Sequence, residues 1–593
     1  MRRNAMIKKE KSYDVVVVGG GMSGICAAIA AARHGAKVAL IHNRPVLGGN
    51  ASSEIRMHIC GADTHGSRPH ARETGILEEI LLENRYRNPQ YSYPVFDGVL
   101  WEKVYFQDGL DLYLNTHCHQ VHVNNGHIQY IEAIQLTSET TFLMTANYFV
   151  DTTGDGTLAY DAGADYMMGR EGSDVFNEPH APHKTDPYTM GNTLLFTTKD
   201  MGHPVPFHKP FWANTYTEED LAHRSHGATG YNYWWIELGG DKLHTIEDSE
   251  TIRNELVKAV YGVWDHVKNG GNHDADNYVL DWVGFLPGKR ESRRIVGDYV
   301  LTENDLASAR AFEDAIGYGG WPMDMHVVGG LNTQLEPTEC IYLPEVYTIP
   351  YGSIYAKDID NLYIGGRVIS ASHMAFGSTR VMATCAIIGQ AIGTSAALAN
   401  KHHITPREAS TYIKDIQQQL LRDDAYIPHI TNEDDSDLAR QATVTCSSEQ
   451  LGYDANFVIN GISRTVKENS NAWHSDGMSE DGEWIALDFT QAIHPTSVEI
   501  KFDSNLSKQI MLSAFHNGLG DQEKITVPIE LVKDYTITCY QGTTSVYKKT
   551  IENNYQRLNK ISIPPCQPID RICIHVHGTH GCDNTHIYEI RVY

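Results

Sequence analysis

The chain has 593 residues with 48 Lys+Arg against 74 Asp+Glu, a formal charge of −26 with histidines neutral, which argues against nucleic acid as a partner. Its 41% hydrophobic and 21% charged residues are those of a globular protein able to bury a sizeable core, and the length argues for several packed units rather than a disordered or collagenous chain. No window reaches the roughly 18 consecutive apolar residues of a bilayer span; the run Ile25–Ala32 stops at Arg33, so no membrane insertion is expected. Ten cysteines are dispersed without a CxxC pair, which does not suit a disulfide framework. The basic start, Met1 to Lys11, runs into a strand and glycines rather than a cleavage site. A cytoplasmic protein is the expectation, although a leader already removed would leave the same sequence.

Tyr13 to Ile41 reads strand, turn, helix, strand. Val15–Val18 is a continuous β-branched run, as in a parallel strand buried on both faces. Gly19, Gly21 and Gly24 fit GxGxxG around Met22 and Ser23, and Ile25 to His34 is an alanine-rich helix stopped by Gly35. The first glycine suits a tight turn, the second lets a pyrophosphate approach the helix N-terminus, and the third lets helix and strand pack. The acidic ribose ligand expected about 20 residues on is replaced by His42-Asn43-Arg44. Asn43 is then the ribose partner; Arg44 alone would suggest NADP, whereas the following Gly48-Gly49-Asn50 argues for a longer flavin nucleotide.

From Arg44 through Gly48, Gly49, Asn50 and Ser52 to Glu54 the chain resembles a bacterial family of FAD-dependent oxidoreductases related to the fumarate-reductase and glutathione-reductase types. The resemblance returns in Val150 to Thr157, with Thr153, Gly154 and Asp155, in Asn361 to Arg367, with Gly366 and Arg367, and in Ser370 to Arg380, with Ser378 and Thr379. It implies a Rossmann-type FAD-binding domain whose cofactor collects backbone from distant segments. Thr379 to Leu398 reads as a small-residue helix with its N-terminus toward the flavin. The related flavoproteins carry an acid where this chain has Arg367, so the ribityl contact is expected from backbone or a neighbour.

The implied organisation is α/β: FAD-binding residues 1–161, a substrate-binding insertion over 162–345, the FAD-binding domain returning over 346–430, and an all-β, jelly-roll-like sandwich over 435–593. The insertion carries Tyr231-Asn232-Tyr233-Trp234-Trp235 and a helical stretch from Ser249 to Lys268, between glycine- and histidine-rich loops. Asn432 to Asp437 is the linker. Gly482 to Phe489 and the closing Tyr588 to Tyr593 resemble galactose-binding-like domains of the factor 5/8 type C kind. Cys573, His575 and His577 share one face of a strand. Zinc could be held there, but an apolar face turned inward with polar side chains outward is the preferred reading, and no metal is expected.

A flavin accepting hydride from a C–H bond needs a base for the departing proton and a cation for developing negative charge. His373 is the candidate base. Arg56 and His58, after the Gly-Gly-Asn turn, and Arg290 and Arg293, in the basic run Lys289 to Arg294, are the candidate supporting groups. Three readings follow: oxidation of a carbohydrate or glycoside hydroxyl, reduction of an activated double bond with an arginine clamping a substrate carboxylate, or glycan binding with a structural flavin. The expected partner is a small molecule, a carbohydrate in the first reading.

Overall fold

A computed structural model describes residues 7–229, 233–513, 527–565 and 567–593. The first six residues, and Tyr231 and Asn232 of the aromatic segment, lie outside the described residues. The chain forms two compact units. The first takes in the chain up to Gly61 and Tyr91–Ile413; the second takes in Ala62–Gln90, Lys414–Ile510 and the described residues from 527 to Tyr593.

The first unit is built on a seven-stranded sheet. Strand β1 (Ile7–Val18) leads through α1 (Met22–Arg33) to β2 (Val38–Ile41), followed by β3 (Leu110–Tyr113), β4 (Thr116–Asn124), β5 (His127–Gln135), β6 (Thr140–Asp151) and the returning β7 (Leu362–Ile364). Their order is β3-β2-β1-β6-β5-β4, with β7 also paired to β6. Pairings β2 to β3, β1 to β2, β1 to β6 and β6 to β7 are parallel, whereas β4, β5 and β6 form an antiparallel meander with Asn124-Asn125-Gly126 at its first turn. Val15–Val18 is buried because β1 has a parallel neighbour on each edge and packs on both faces. Chain order reverses at β1, since β2 follows on one side and β6 returns on the other, and a crevice therefore opens beyond the carboxyl ends of these strands.

The helix expected over Thr379 to Leu398 is α4 (Met382–His402), which starts three residues later than expected because a separate short helix, α3 (His373–Thr379), precedes it. Ser372 caps α3 by accepting the Ala375 N–H at 3.1 Å, and Val381, with φ −70° and ψ 147°, is extended and restarts the chain as α4. Arg380 at the break donates to the carbonyl and carboxylate of Asp324 at 3.0 and 2.8 Å. Helix α4 is long and apolar enough to cross a membrane by composition, but 89% of its most apolar window is buried inside the protein. It lies against α1 at backbone distance: a side chain at Gly389 or Gly393 would collide with the carbonyls of Ser23 or Ala27. Within the 162–345 stretch an amphipathic helix, α2 (Ser249–Asn269), packs Ile252, Leu256, Val260 and Trp264 against Leu194, Phe196, Tyr233 and Trp235.

In the second unit the strands are β8 (Thr443–Cys446), β9 (Trp473–His474), β10 (Glu483–Ile493), β11 (Ser497–Phe502), β12 (Val532–Gln541), β13 (Thr544–Ile551), β14 (Leu558–Ser562), β15 (Ile569–Thr579) and β16 (His586–Val592). They form antiparallel sheets ordered β8-β10-β15-β12-β13 and β9-β16-β11-β14. Alternating residues of both sheets, among them Ile485, Leu487, Ile500, Ile537, Ile574 and Ile590, share one core, which makes the unit a sandwich. The face alternation of β15 is as read: Ile572, Ile574 and Val576 are buried, while Cys573, His575 and His577 are not. His575 pairs with the Asp481 carbonyl at 2.7 Å and His577 with Thr536 at 2.8 Å. Residues 62–90 belong to this unit. Arg72 pairs with Glu78 at 2.7 Å and donates to the carbonyls of Ser504 and Asn505, and Tyr86 stacks on Tyr555.

Candidate functional site: a nucleotide cleft and an adjoining chamber

The crevice at the carboxyl ends of β1, β2 and β6 holds ≈ 1140 Å³ of empty space, counting its open mouth. Its floor is Val18 to Ser23, where β1 turns into α1. Gly19 has φ +115° and its missing side chain is replaced by the carbonyl of Thr152, so no other residue fits that turn. A Cβ at Gly21 would instead point into open space, with nothing of the protein within 4 Å. That is the cradle through which a phosphate could reach the backbone N–H groups at the start of α1. Ile41, His42, Asn43, Thr116 to Cys118, Gly48, Gly49, Asn50, Gly366, Arg367, Arg380, Met382 and Cys385 are also in its lining. The restart at Val381 thus brings the N-terminus of α4 to the cleft.

His42, in the place of the expected acid, accepts the Gly20 N–H on Nδ1 at 3.0 Å. Burial pushes its imidazole down to about 4, so it is neutral at pH 7 and fixes the turn rather than binding an anion. Also in the lining, Asp155 receives the Lys289 ammonium at 2.6 Å, with Arg367 at 3.8 Å. Burial raises this carboxyl, but the charges of Lys289 and Arg367 and the hydrogen bonds of Lys289 and Ser292 outweigh burial and hold it below its ordinary value. The Arg367 guanidinium and the Asn50 amide both donate to the Lys289 carbonyl, at 2.6 and 3.1 Å. Ser23 Oγ and Asp155 Oδ1 are buried without a hydrogen-bond partner among the described residues. Space, cradle and these open polar atoms fit an extended flavin nucleotide.

The cleft gathers most of the residues expected to bind cofactor: Gly19, Gly21, Met22, Ser23, Asn43, Gly48, Gly49, Asn50, Thr153, Gly154, Asp155, Gly366 and Arg367. Five others do not line it. Gly24 packs against the Gly19 carbonyl. Arg44 points to Glu54, at 3.0 and 2.6 Å, because the nearby carboxylate captures the guanidinium in a two-point pair. Ser52 is buried beneath the Gly49 turn. Ser378 bonds Tyr347 at 2.8 Å, and Thr379 is buried, since α3 ends before the cleft. Lining residues without a signal in the sequence include Thr116, His117, Asp161 and Cys385, which approach only through strand pairing and helix packing. Arg380 closes the quoted Ser370–Arg380 segment, and its role became visible only with the break at Val381.

The run Lys289 to Arg294 is buried or half-buried, not a solvated face. Successive side chains leave in different directions. Lys289 meets Asp155; Arg290 reaches Glu237, His326 and the Trp234 carbonyl; Glu291 meets His373; Ser292 donates to the Gly154 carbonyl; Arg293 lies over Tyr160; and Arg294 pairs with Glu171. Arg290 and Arg293 are therefore both engaged within the protein, and neither presents an open fork to a substrate carboxylate. Arg56, at φ 64°, lies over Trp282, and His58 is buried; neither lines the chamber described next. The five candidate catalytic residues thus do not form one cluster.

His373 does occupy a cavity. It opens α3, is 4% exposed, and pairs through Nδ1 with Glu291 Oε1 at 2.8 Å. Burial would raise Glu291, but the charge and hydrogen bond of His373, then Arg294 and the Met190 N–H, hold it below its usual range. The chamber holds ≈ 680 Å³ of empty space and is lined by Arg170, His180, Thr189, His326, Glu339, His373 and apolar Met190, Met325, Ile341 and Met374, among others. Asp324 links a residue of each: this carboxylate takes Arg380, which lines the cleft, at 2.8 Å and His326, which lines the chamber, at 3.2 Å.

A sheet of parallel strands carrying an antiparallel meander, with a phosphate cradle where its strand order reverses, defines a nucleotide-binding α/β protein. Residues 14–420 match the model of the FAD dependent oxidoreductase family, so the chain belongs to that family and is a flavoprotein enzyme using FAD. No curated protein matches it. Among solved structures it is similar to a fucose binding module of Streptococcus pneumoniae (12% identity, 27% of this chain and 97% of that one, TM-score 0.21). It is also similar to a chitosan-binding module of a Paenibacillus chitosanase/glucanase (19%, 26% and 98%, TM-score 0.19), and to a family 32 module of C. perfringens in complex with galactose (16%, 26% and 94%, TM-score 0.19).

Proposed function

We propose that the protein oxidises a hydroxyl-bearing carbon of a carbohydrate or glycoside held in the chamber. The observation that carries the reading is the buried His373–Glu291 pair, at 2.8 Å, facing a cavity whose other polar lining is Arg170, His180, Thr189, His326 and Glu339. Glu291, kept ionised, accepts the Nδ1–H hydrogen bond of His373 and leaves Nε2 as the acceptor for the substrate O–H. Arg170, His180 and Thr189 offer donors to the remaining hydroxyls, and Met190, Met325 and Ile341 offer apolar surface to the sugar's C–H faces. When bound, FAD supplies the hydride acceptor. Gly19 to Ser23 would hold its pyrophosphate, Asn43 its adenosine ribose, and Ser23 and Asp155, with their open oxygens, its remaining hydroxyls. Arg380 and the N-terminus of α4 would stabilise negative charge at the flavin end.

Support for a sugar comes also from the resemblance of Gly482 to Phe489 and Tyr588 to Tyr593 to galactose-binding-like domains. The carboxylate-reducing alternative loses its clamp, because Arg290 and Arg293 are committed to Glu237 and Tyr160. Anaerobic incubation with panels of sugars, glycosides and unsaturated carboxylates, followed by the visible flavin spectrum, tests the reading. Bleaching by a sugar or glycoside is expected; if only carboxylates exchange electrons with the flavin, or no sugar bleaches it, the reading fails.

A further inference from the structure

We propose that the protein carries a structural zinc(II) site, remote from the flavin chemistry, formed by Glu218, His226, His266 and His273. One helix, the loop after it and one irregular stretch bring these residues together. His266 lies in the last turn of the Ser249–Asn269 helix, His273 lies in the loop after it, and Glu218 and His226 lie in the irregular stretch before Tyr233. Their ligand atoms all lie within 4.8 Å of one another. Three Nε2 atoms and a carboxylate converge: His266 and His273 are 3.2 Å apart, and Glu218 stands 3.5, 3.2 and 3.0 Å from His226, His266 and His273. Tetrahedral zinc with ligands at about 2.0–2.1 Å separates neighbouring ligand atoms by about 3.3 Å, which these distances straddle.

The imidazoles are set around the common point rather than stacked, with ring centroids 5.1, 4.8 and 5.0 Å apart and interplanar angles of 61°, 63° and 64°. The His226 side chain is 9% exposed, and its Nε2 has no hydrogen-bond partner among the described residues. Its Nδ1 donates to the Arg224 carbonyl at 2.6 Å, which fixes the tautomer with the Nε2 lone pair inward. A main-chain carbonyl on the far nitrogen is the usual support of a metal-ligating histidine. Asn272 donates to Glu218 at 2.5 Å and orients the carboxylate in the same way. Without a cation, three nitrogen lone pairs or their protons would face one another in a nearly dry pocket.

Four protein ligands leave no open position, so the role is structural. The ion would anchor the 218–228 stretch, which has little regular secondary structure of its own, to the helix. That stretch supplies carbonyls to Thr198, Tyr233 and Trp235, and Trp234 beside it receives Arg290.

Elemental analysis of the purified holoprotein by plasma mass spectrometry should find about one zinc per chain. X-ray absorption should show a shell of nitrogen and oxygen near 2.0 Å. Chelation should lower Tm by several degrees and zinc chloride should restore it, with the flavin spectrum unchanged. Exposed Glu218 can be replaced without opening the core. Glu218→Ala should bind zinc at least tenfold more weakly, and His226→Ala should abolish binding while keeping flavin. Wild type that binds no zinc and shows no change in Tm on zinc addition overturns the site, as does equal zinc binding by wild type and His226→Ala.

Discussion

Within the first unit the cleft is walled by main chain from glycine-bearing turns at Gly19, Gly48 and Gly366, whereas the chamber beside it is walled by paired side chains, His373 with Glu291 and His326 with Glu237. A backbone cradle recognises what every flavin nucleotide shares, its phosphates and hydroxyls. A wall of ionisable side chains sets proton positions and hence the reaction. The segment from Lys289 to Arg294 serves both, because its alternate side chains reach Asp155 at the cleft and His373 at the chamber.

The largest test of that division removes the proton acceptor. His373→Ala should retain the flavin spectrum while slowing substrate-dependent flavin reduction by about 100- to 10,000-fold in stopped-flow measurements, the range for a general base. Glu291→Gln should fall in the same direction, since it no longer holds the imidazole in the accepting tautomer. Near-normal reduction by His373→Ala would move the chemistry out of the chamber.

Gly21→Val breaks the cleft instead. The Cβ position meets no protein atom within 4 Å, so the variant should fold and yet fail to keep the flavin colour through gel filtration. Full flavin occupancy in that variant would show that the phosphates lie elsewhere.

Lys289→Met acts on the shared wall. It strands the Asp155 carboxylate, and a loss of about 1–3 kcal/mol at neutral pH is expected in denaturant unfolding. The sign with pH follows from the depressed carboxyl. In wild type this stabilisation is present above the ordinary carboxylate value of 3.8 and disappears as pH falls below it through the folded-state value. The difference between wild type and variant should therefore shrink below about pH 4, and a constant difference would assign the effect to packing.

Arg44→Ala should do least. Its guanidinium is 41% exposed and paired with Glu54 outside the cleft, so stability should change by no more than about 1 kcal/mol, with flavin occupancy retained. Loss of flavin would restore Arg44 to the binding site.

Local patterns determined the start of the sheet, the phosphate turn, the meander and the alternating strands of the sandwich, because each depends on neighbours within a few residues: a β-branched run, glycines at fixed spacing, a period of two. The family resemblance added Gly48 to Asn50, Asp155 and Gly366, which the fold gathers around one crevice. Only the tertiary structure decided how charge is paired. The basic run at Lys289 to Arg294 reads as a solvated face or a substrate clamp, and nothing in its spacing reveals that Glu171, Glu237 and Asp155 wait more than fifty residues away to neutralise it. The same holds for Glu218, His226, His266 and His273, scattered among irregular loops until the helix from Ser249 to Asn269 brings them to one point. Backbone geometry is written in short-range sequence, whereas the partner of a buried charge is chosen by the desolvation cost of leaving it alone, which is settled only when distant segments pack.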